Sequence, residues 1–173
     1  MLLVGATGPT GRAIMAQARR TSAGLAVRAL ARDPSRLTGD GLAAEVVRGD
    51  VLRPDSLVAA LDGVSVVVSV LGTPLILRPV TLLSEGTRHL VDAMQRQGVS
   101  RLLCITGMGA GDSRGHGGFV YDWLILPTLL RQIYADKDRQ ERVVTDSGLD
   151  WTIVRPARLT DGPRTGQYRV ITR

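Results

Sequence analysis
The 173-residue chain, 44% hydrophobic and 22% charged, has the length and apolar content of one globular domain, and no apolar run approaches a membrane span. Its net charge of +6 comes almost wholly from scattered arginines, and only 3% of residues are aromatic, so no basic run with interleaved stacking residues speaks for nucleic acid; an anionic small molecule explains the charge as well. Cys104 is the single cysteine, which excludes an intramolecular disulfide, and Arg12 arrives too early for a secretory signal, so the chain is expected to be cytoplasmic, with no nucleic-acid and no membrane partner.

Met1–Val4 reads as a buried strand running straight into Gly5-Ala6-Thr7-Gly8-Pro9-Thr10-Gly11-Arg12, and a helix is expected over about Gly11–Thr21. Glycines at this spacing let the chain turn sharply, let a phosphate approach the backbone amides and let the helix pack close to the strand. The helix N-terminus adds free N–H groups and the positive end of a dipole. Standing at the first strand–helix junction, this motif predicts a dinucleotide site. Leu25–Leu30 is expected to be the second strand, leading into Ala31-Arg32-Asp33-Pro34-Ser35-Arg36. In dinucleotide folds an acid roughly 20 residues beyond the glycines binds the ribose 2′-hydroxyl, whereas arginine accommodates a 2′-phosphate. Arg32, with Arg36 close behind and Arg12 at the first helix, favours NADP(H) over NAD(H); Asp33 is the competing ligand but falls beside Pro34 on a turn.

Ala44–Val47 is expected to be the third strand, ending in Arg48-Gly49-Asp50-Val51, and Pro54–Leu61 a short helix closed by Gly63. Val64–Leu71 lacks alternation and reads as a central parallel strand buried on both faces, ending in Gly72-Thr73-Pro74 at the carboxyl edge of the sheet. An amphipathic helix follows over 79–97, with Leu83, Thr87, Leu90, Val91 and Met94 on one face. Arg101–Thr106 is the fifth strand, and the glycine-rich stretch 107–118 reads as a mobile lid or a disordered tip. Phe119–Pro127, with Tyr121 and Trp123, is expected to pack over the pocket or along a long helix over Thr128–Thr145. Trp151–Val154 is the sixth strand, and Tyr168–Ile171 begins to look like another. Strands and helices alternating at this spacing predict a doubly wound parallel α/β sheet, a Rossmann-like single domain over 1–173.

Together, Gly5-Ala-Thr-Gly8-Pro-Thr-Gly11, Gly49-Asp50-Val51, Leu71-Gly72-Thr73 and Ser147-Gly-Leu-Asp-Trp-Thr-Ile-Val-Arg155-Pro156 resemble the atypical short-chain dehydrogenases/reductases, in their NmrA-like NAD(P)H-binding branch. Ser84-Glu-Gly-Thr-Arg88 and Asp161-Gly-Pro-Arg-Thr-Gly-Gln-Tyr168 are similar to stretches of the members that reduce flavins and biliverdin. The resemblance implies cofactor contacts from Gly5 and Thr7, and phosphate contacts from the Gly8-Pro9-Thr10-Gly11-Arg12 turn. It implies 2′-phosphate contacts from Arg32 and Arg36, and places Asp50 and Val51 by the adenine. Leu71, Gly72 and Thr73 would flank the ribose and nicotinamide, with Thr106 below the nicotinamide end and Pro156 beside it. Family members run longer by a C-terminal strand and helix, which this chain is expected to lack.

Many short-chain dehydrogenases use a serine with a Tyr-x-x-x-Lys pair, the lysine lowering the tyrosine pKa so that the phenol can exchange a proton with substrate. Lys137, the only lysine, resembles with Glu141 the family's Lys-x-x-x-Glu helix, but the residue four before it is Ile133. Tyr134 is one position off, about 100° around the helix. The serine position falls on Gly107, after Thr106, so a tyrosine-based mechanism is not expected. Thr106 and Lys137 remain the candidate catalytic residues, Lys137 either touching the nicotinamide ribose or lying exposed on its helix. Hydride transfer to a flavin, a biliverdin-like tetrapyrrole or a quinone-like acceptor requires aligned rings and excluded water more than acid–base groups. The expectation is an NADPH-dependent reductase of such a small-molecule electron acceptor, as a monomer or weak homodimer. The alternative is a non-catalytic NmrA-like sensor that binds NAD(P) and regulates a partner protein. His89 reads as a helix-surface histidine, His116 as a solvated loop residue and Cys104 as core, with no metal-ligand spacing among them.

Overall fold
The computed structural model describes residues 1–20, 25–37, 45–115, 118–157, 159, 162 and 166–171. Six strands, β1 (Leu2–Val4), β2 (Arg28–Ala31), β3 (Glu45–Arg48), β4 (Val66–Ser69), β5 (Arg101–Ile105) and β6 (Asp150–Val154), form one sheet in the order β3-β2-β1-β4-β5-β6. Every pairing is parallel. The helices are α1 (Pro9–Arg20), α2 (Asp55–Leu61), α3 (Leu82–Arg96), α4 (Leu126–Thr128) and α5 (Arg131–Thr145). The doubly wound α/β fold expected from the sequence is the one adopted.

The central strands are apolar on both faces because both faces are covered. Leu2, Val4, Val67, Leu102 and Cys104 point into one core with Leu57, Leu61, Leu90, Met94 and Val144, from α2, α3 and α5. Leu3, Ala29, Ala31 and Val68 point the other way, onto Met15 of α1 with Ala6 and Leu37. Strand order reverses between β1 and β4, so their carboxyl ends splay apart and leave a crevice at that point of the sheet.

Several boundaries differ from the sequence expectation. β2 begins at Arg28, and Leu25 is outside the sheet and exposed. β4 is shorter than Val64–Leu71, because beyond the Val70 amide, which donates to Val4, the chain leaves the sheet to form a wall of the crevice. α3 begins at Leu82 instead of near Pro79: the amides of Leu83 and Ser84 donate to Asp136 of α5, a capping carboxylate supplied from another element. The helix expected over Thr128–Thr145 starts three residues late, at Arg131. A π-helical turn at Tyr121–Ile125 runs through α4, and the Leu129 and Leu130 amides both return to the Ile125 carbonyl before α5 starts; Pro127, with no N–H, cannot carry a regular ladder through this bend.

The described part of the glycine-rich loop is not a loose lid. Gly109 has φ 100° and Gly111 φ 55°; a Cβ on Gly109 would lie 2.6 Å from Leu126 Cδ1, and one on Gly111 would run into Glu141. The loop is held by Gly111 N–H to Asp138 at 2.8 Å and by Arg155 to Asp112 at 2.8 Å, and Ala110 is fully buried. Phe119 and Trp123 stack on each other in solvent, 79% and 75% exposed, and do not cover a pocket; Tyr121 instead packs with Leu126 and Tyr134. Tyr168–Ile171 is no strand: its side chains are exposed and it pairs with nothing among the described residues. Thr21, Ala44, His116 and the turn at Asp161 and Pro163 lie outside the described residues.

Candidate functional site
The Gly5–Gly11 turn fills the crevice at β1, and its glycines meet different demands. Gly5 has φ 87°, and a Cβ there would lie 2.5 Å from the Val70 carbonyl oxygen. A Cβ on Gly11 would run into the Gly5 carbonyl and the Ala6 backbone, so Gly11 is what lets α1 close on β1. Gly8 differs: a Cβ would meet only the Gly5 oxygen, at an ordinary 3.5 Å. Nothing in the protein excludes a side chain at 8, so what its absence keeps clear is the space in front of the turn, where a pyrophosphate approaches in this class of fold. α1 has no acidic residue in its first turn, whereas Asp55 opens α2 and Asp136 caps α3. The positive end of α1 is thus left for an anion from outside.

The cleft above this turn has a volume of about 400 Å³. Its walls are Gly5 and Thr7–Gly11 after β1, Leu30–Arg32 at the end of β2, Gly49–Val51 after β3, and Val70–Pro74 with Leu82 on the β4 side. Of the sequence candidates, Gly5, Thr7, Gly8, Pro9, Thr10, Gly11, Arg32, Asp50, Val51, Leu71, Gly72 and Thr73 line it. Arg12 and Arg36 stand outside the lining, joined to each other: Arg12 Nη2 donates to the Arg36 carbonyl at 2.6 Å. Arg36 is exposed on a single turn of 3₁₀ helix, Pro34–Leu37. Asp33 is occupied in the same turn, accepting from the Ser35 amide at 3.1 Å and the Ser35 hydroxyl at 2.7 Å; these bonds hold its carboxyl below the usual range. Asp50 is set by Ser56, whose hydroxyl lies 2.9 Å from its amide, and by its own carboxylate accepting from Leu52. His89 is not a free surface histidine: Nδ1 lies 2.9 Å from the Val51 carbonyl and ties α3 to the loop after β3.

A second pocket, about 290 Å³, opens beside the first and shares Gly72 and Thr73 with it. Leu75, Leu83, Leu130, Ile133, Tyr134 and Lys137 form the rest of its wall. Lys137 is therefore a pocket residue, whose ammonium donates to the Thr106 carbonyl at 2.5 Å. Tyr134 stands beside it despite the missing spacing, with Nζ 5.2 Å from the ring centroid. Its phenol is engaged by the Met108 carbonyl at 2.9 Å and the Tyr121 hydroxyl at 2.6 Å, and burial with the Tyr121 bond pushes its pKa up, the reverse of a phenol prepared to ionise. Position 107 has no room for a serine unless neighbours move, since a Cβ would lie 2.8 Å from Lys137 Nζ and 3.1 Å from the Tyr134 hydroxyl.

Thr106 and Pro156 are outside both linings. The Thr106 hydroxyl donates to Glu141 at 2.6 Å, Glu141 is held by two bonds from Arg155 at 2.9 and 2.7 Å, and the Pro156 carbonyl accepts from the Met108 amide at 3.0 Å. Burial, reinforced by Glu141, pushes the Cys104 thiol up to about 12, so it stays protonated as a core residue. Among the described residues no cluster of His, Cys, Asp and Glu could hold a metal, and no helix is long and apolar enough to cross a membrane.

Comparison with known proteins agrees with this geometry. The NAD(P)H-binding family model matches residues 5–173. A chloroplastic protein of Arabidopsis thaliana is 30% identical over 96% of this chain and 61% of its own. The (4-alkanoyl-5-oxo-2,5-dihydrofuran-3-yl)methyl phosphate reductase of Streptomyces griseus is 31% identical over 90% of this chain and 46% of its own. The chain thus spans about half to three fifths of these relatives' lengths. Among solved structures, ChuY of Escherichia coli O157:H7, described as an anaerobillin reductase, superposes with a TM-score of 0.72 at 25% identity, covering 95% of this chain and 76% of that one. The chain belongs to the NAD(P)H-binding family.

Proposed function
We propose that this member of the NAD(P)H-binding family is an NADPH-dependent reductase that delivers hydride to a flavin, tetrapyrrole or quinone-like acceptor. The observation that carries the reading is a pair of neighbouring pockets: the cleft over the Gly5–Gly11 turn and a recess beside it share Gly72 and Thr73, and the recess's one tyrosine is held in a structural hydrogen bond. The cleft fits the cofactor, since Gly8 leaves the front of the turn clear and the uncapped start of α1 faces it. Arg32 on the cleft wall, with Arg36 and Arg12 joined to each other nearby in the fold, suits a 2′-phosphate, while Asp33, outside the cleft lining, turns one carboxylate oxygen to Ser35. The nicotinamide, when bound, supplies the hydride. The protein's own part is to hold the diphosphate on the Gly5–Gly11 turn, to support the adenine side with Asp50 and Val51, and to keep water from the recess with Leu75, Leu83, Leu130 and Ile133. The similarity to reductases in the comparisons supports the reaction class.

The test is consumption of NADPH, with NADH in parallel, on adding FMN to the purified chain. Turnover is expected with NADPH, and Arg32→Ala/Arg36→Ala is expected to weaken NADPH binding about tenfold or more, some 1.4 kcal/mol, with NADH binding changed less than about twofold. Equal losses for both cofactors would refute the 2′-phosphate assignment. Tight NADPH binding with no turnover on FMN, a tetrapyrrole or a quinone would leave a nucleotide sensor in place of a reductase.

A further inference from the structure
The recess beside the nucleotide cleft contains a cation that makes no ion pair among the described residues, Glu141 acting on it only through space. Asp136, Asp138 and Glu141 flank Lys137 on α5, yet each is committed elsewhere. Asp136 accepts from the Leu83 amide at 2.8 Å and the Ser84 hydroxyl at 2.5 Å. Asp138 accepts from the Gly111 amide and pairs with Arg114. Glu141 is held by Arg155 and by the Thr106 hydroxyl. Among the described residues no ion pair joins Lys137 to a carboxylate. Its ammonium has the Thr106 carbonyl and the face of Tyr134, and Leu75, Leu83, Leu130 and Ile133 supply the apolar part of the recess around it. A partly buried ammonium is unfavourable unless paired, and burial lowers the pKa of this one. A charge kept in such a place with a carbonyl and a ring face but no paired carboxylate is suited to one brought by a ligand.

We propose that Lys137 provides the counter-charge for an anionic edge of the electron acceptor, so that the favoured acceptors are flat conjugated carbonyl compounds that carry an ionised oxygen or gain one on reduction. This rests on the reductase reading and narrows its substrate class. Hydride from the dihydronicotinamide, which is oxidised by two electrons, forms a new bond to hydrogen at one end of the acceptor's conjugated system. The carbonyl π pair moves onto oxygen at the other end, and that negative charge stays beside the Lys137 ammonium until solvent delivers a proton. Stabilising charge where it develops lowers the barrier for transfer.

The test needs no turnover. The full chain saturated with NADP⁺ is titrated with lawsone, a hydroxynaphthoquinone ionised at neutral pH, and with the parent naphthoquinone, which is neutral. Lys137→Met is expected to weaken lawsone binding about tenfold or more while changing naphthoquinone and NADPH binding less than about twofold; Lys137→Arg, which keeps the charge, is expected to stay within about fivefold of the wild type for lawsone. Equal weakening of both quinones would reduce Lys137 to apolar packing. Loss of NADPH affinity with lawsone unchanged would assign Lys137 to the nicotinamide ribose, and failure of the wild type to bind lawsone would also overturn the proposal. A Lys137→Met chain that does not fold, by far-UV circular dichroism, leaves the decision to Lys137→Arg and the wild-type preference for lawsone over naphthoquinone, and the absence of that preference refutes it. The reductase reading fails separately, on wild-type turnover of NADPH with FMN.

Discussion

At the scale of single residues, Gly8 and Gly11 look alike in sequence and separate cleanly in space. Gly11 is required by the protein, because any side chain there meets the backbone of Gly5 and Ala6; at Gly8 the protein leaves room for one. Gly11→Ala is expected to lower stability by about 2 kcal/mol in urea unfolding, the usual cost of forcing atoms into a packed backbone contact. Gly8→Ala is expected to stay within about 0.5 kcal/mol of the wild type while weakening NADPH binding about tenfold. The reverse pattern would mean that Gly8 is structural and the turn is not a phosphate cradle. The turn's glycines, Arg32 and Asp50 were legible because their chemistry is local: glycine spacing and the end of a strand fix them to the carboxyl edge of a parallel sheet. Tyr134 was not, since its 100° offset from the expected face says nothing of Met108 and Tyr121, which come from a different loop to take its hydroxyl.

At the scale of elements, α3 is an amphipathic helix whose start is set by α5. Asp136 is fully buried, takes the Leu83 and Ser84 amides, and is approached by Arg139 at 3.2 Å. A carboxylate at this end both satisfies orphan N–H groups and meets the positive end of the helix dipole. Asp136→Ala is expected to cost about 2 kcal/mol and to raise hydrogen-exchange rates at Leu83 and Ser84 ahead of the rest of α3. Unchanged exchange at these two amides would show that α3 caps itself. Leu82 and Leu83 are also pocket walls, so the same bond places the recess relative to the nucleotide cleft. The helix pattern was visible in Leu83, Leu90 and Met94; its first residue was not, because the cap lies about fifty residues along the chain.

At the scale of the whole molecule, Glu141 is where distant segments meet. It joins α5 to Thr106 at the end of β5 and to Arg155 after β6, and Arg155 reaches on to Asp112 in the glycine-rich loop. Glu141 is nearly buried and Arg155 is 28% exposed, so removing the acid leaves a half-buried guanidinium with one exposed partner. Glu141→Gln is expected to cost about 2 kcal/mol, below the loss for a fully buried pair, and to speed amide exchange over 107–113. Normal protection of that loop in the variant would mean that it is held by Asp138 alone.

The sequence by itself determined the parallel α/β architecture, the glycine turn after β1 and which loops line the cleft above it. Those follow from hydrophobic period, glycine positions and the rule that ligands meet a parallel sheet at its carboxyl edge, all of them properties of neighbouring residues. The tertiary structure alone decided that the glycine-rich loop is pinned, that the helix expected over Thr128–Thr145 starts only at Arg131 after a π-helical turn, and that Lys137 stands in a recess beside the cleft while its neighbouring acids serve other elements. Each of these outcomes depends on which groups from remote parts of the chain satisfy a buried polar atom, and that is settled only when the elements pack.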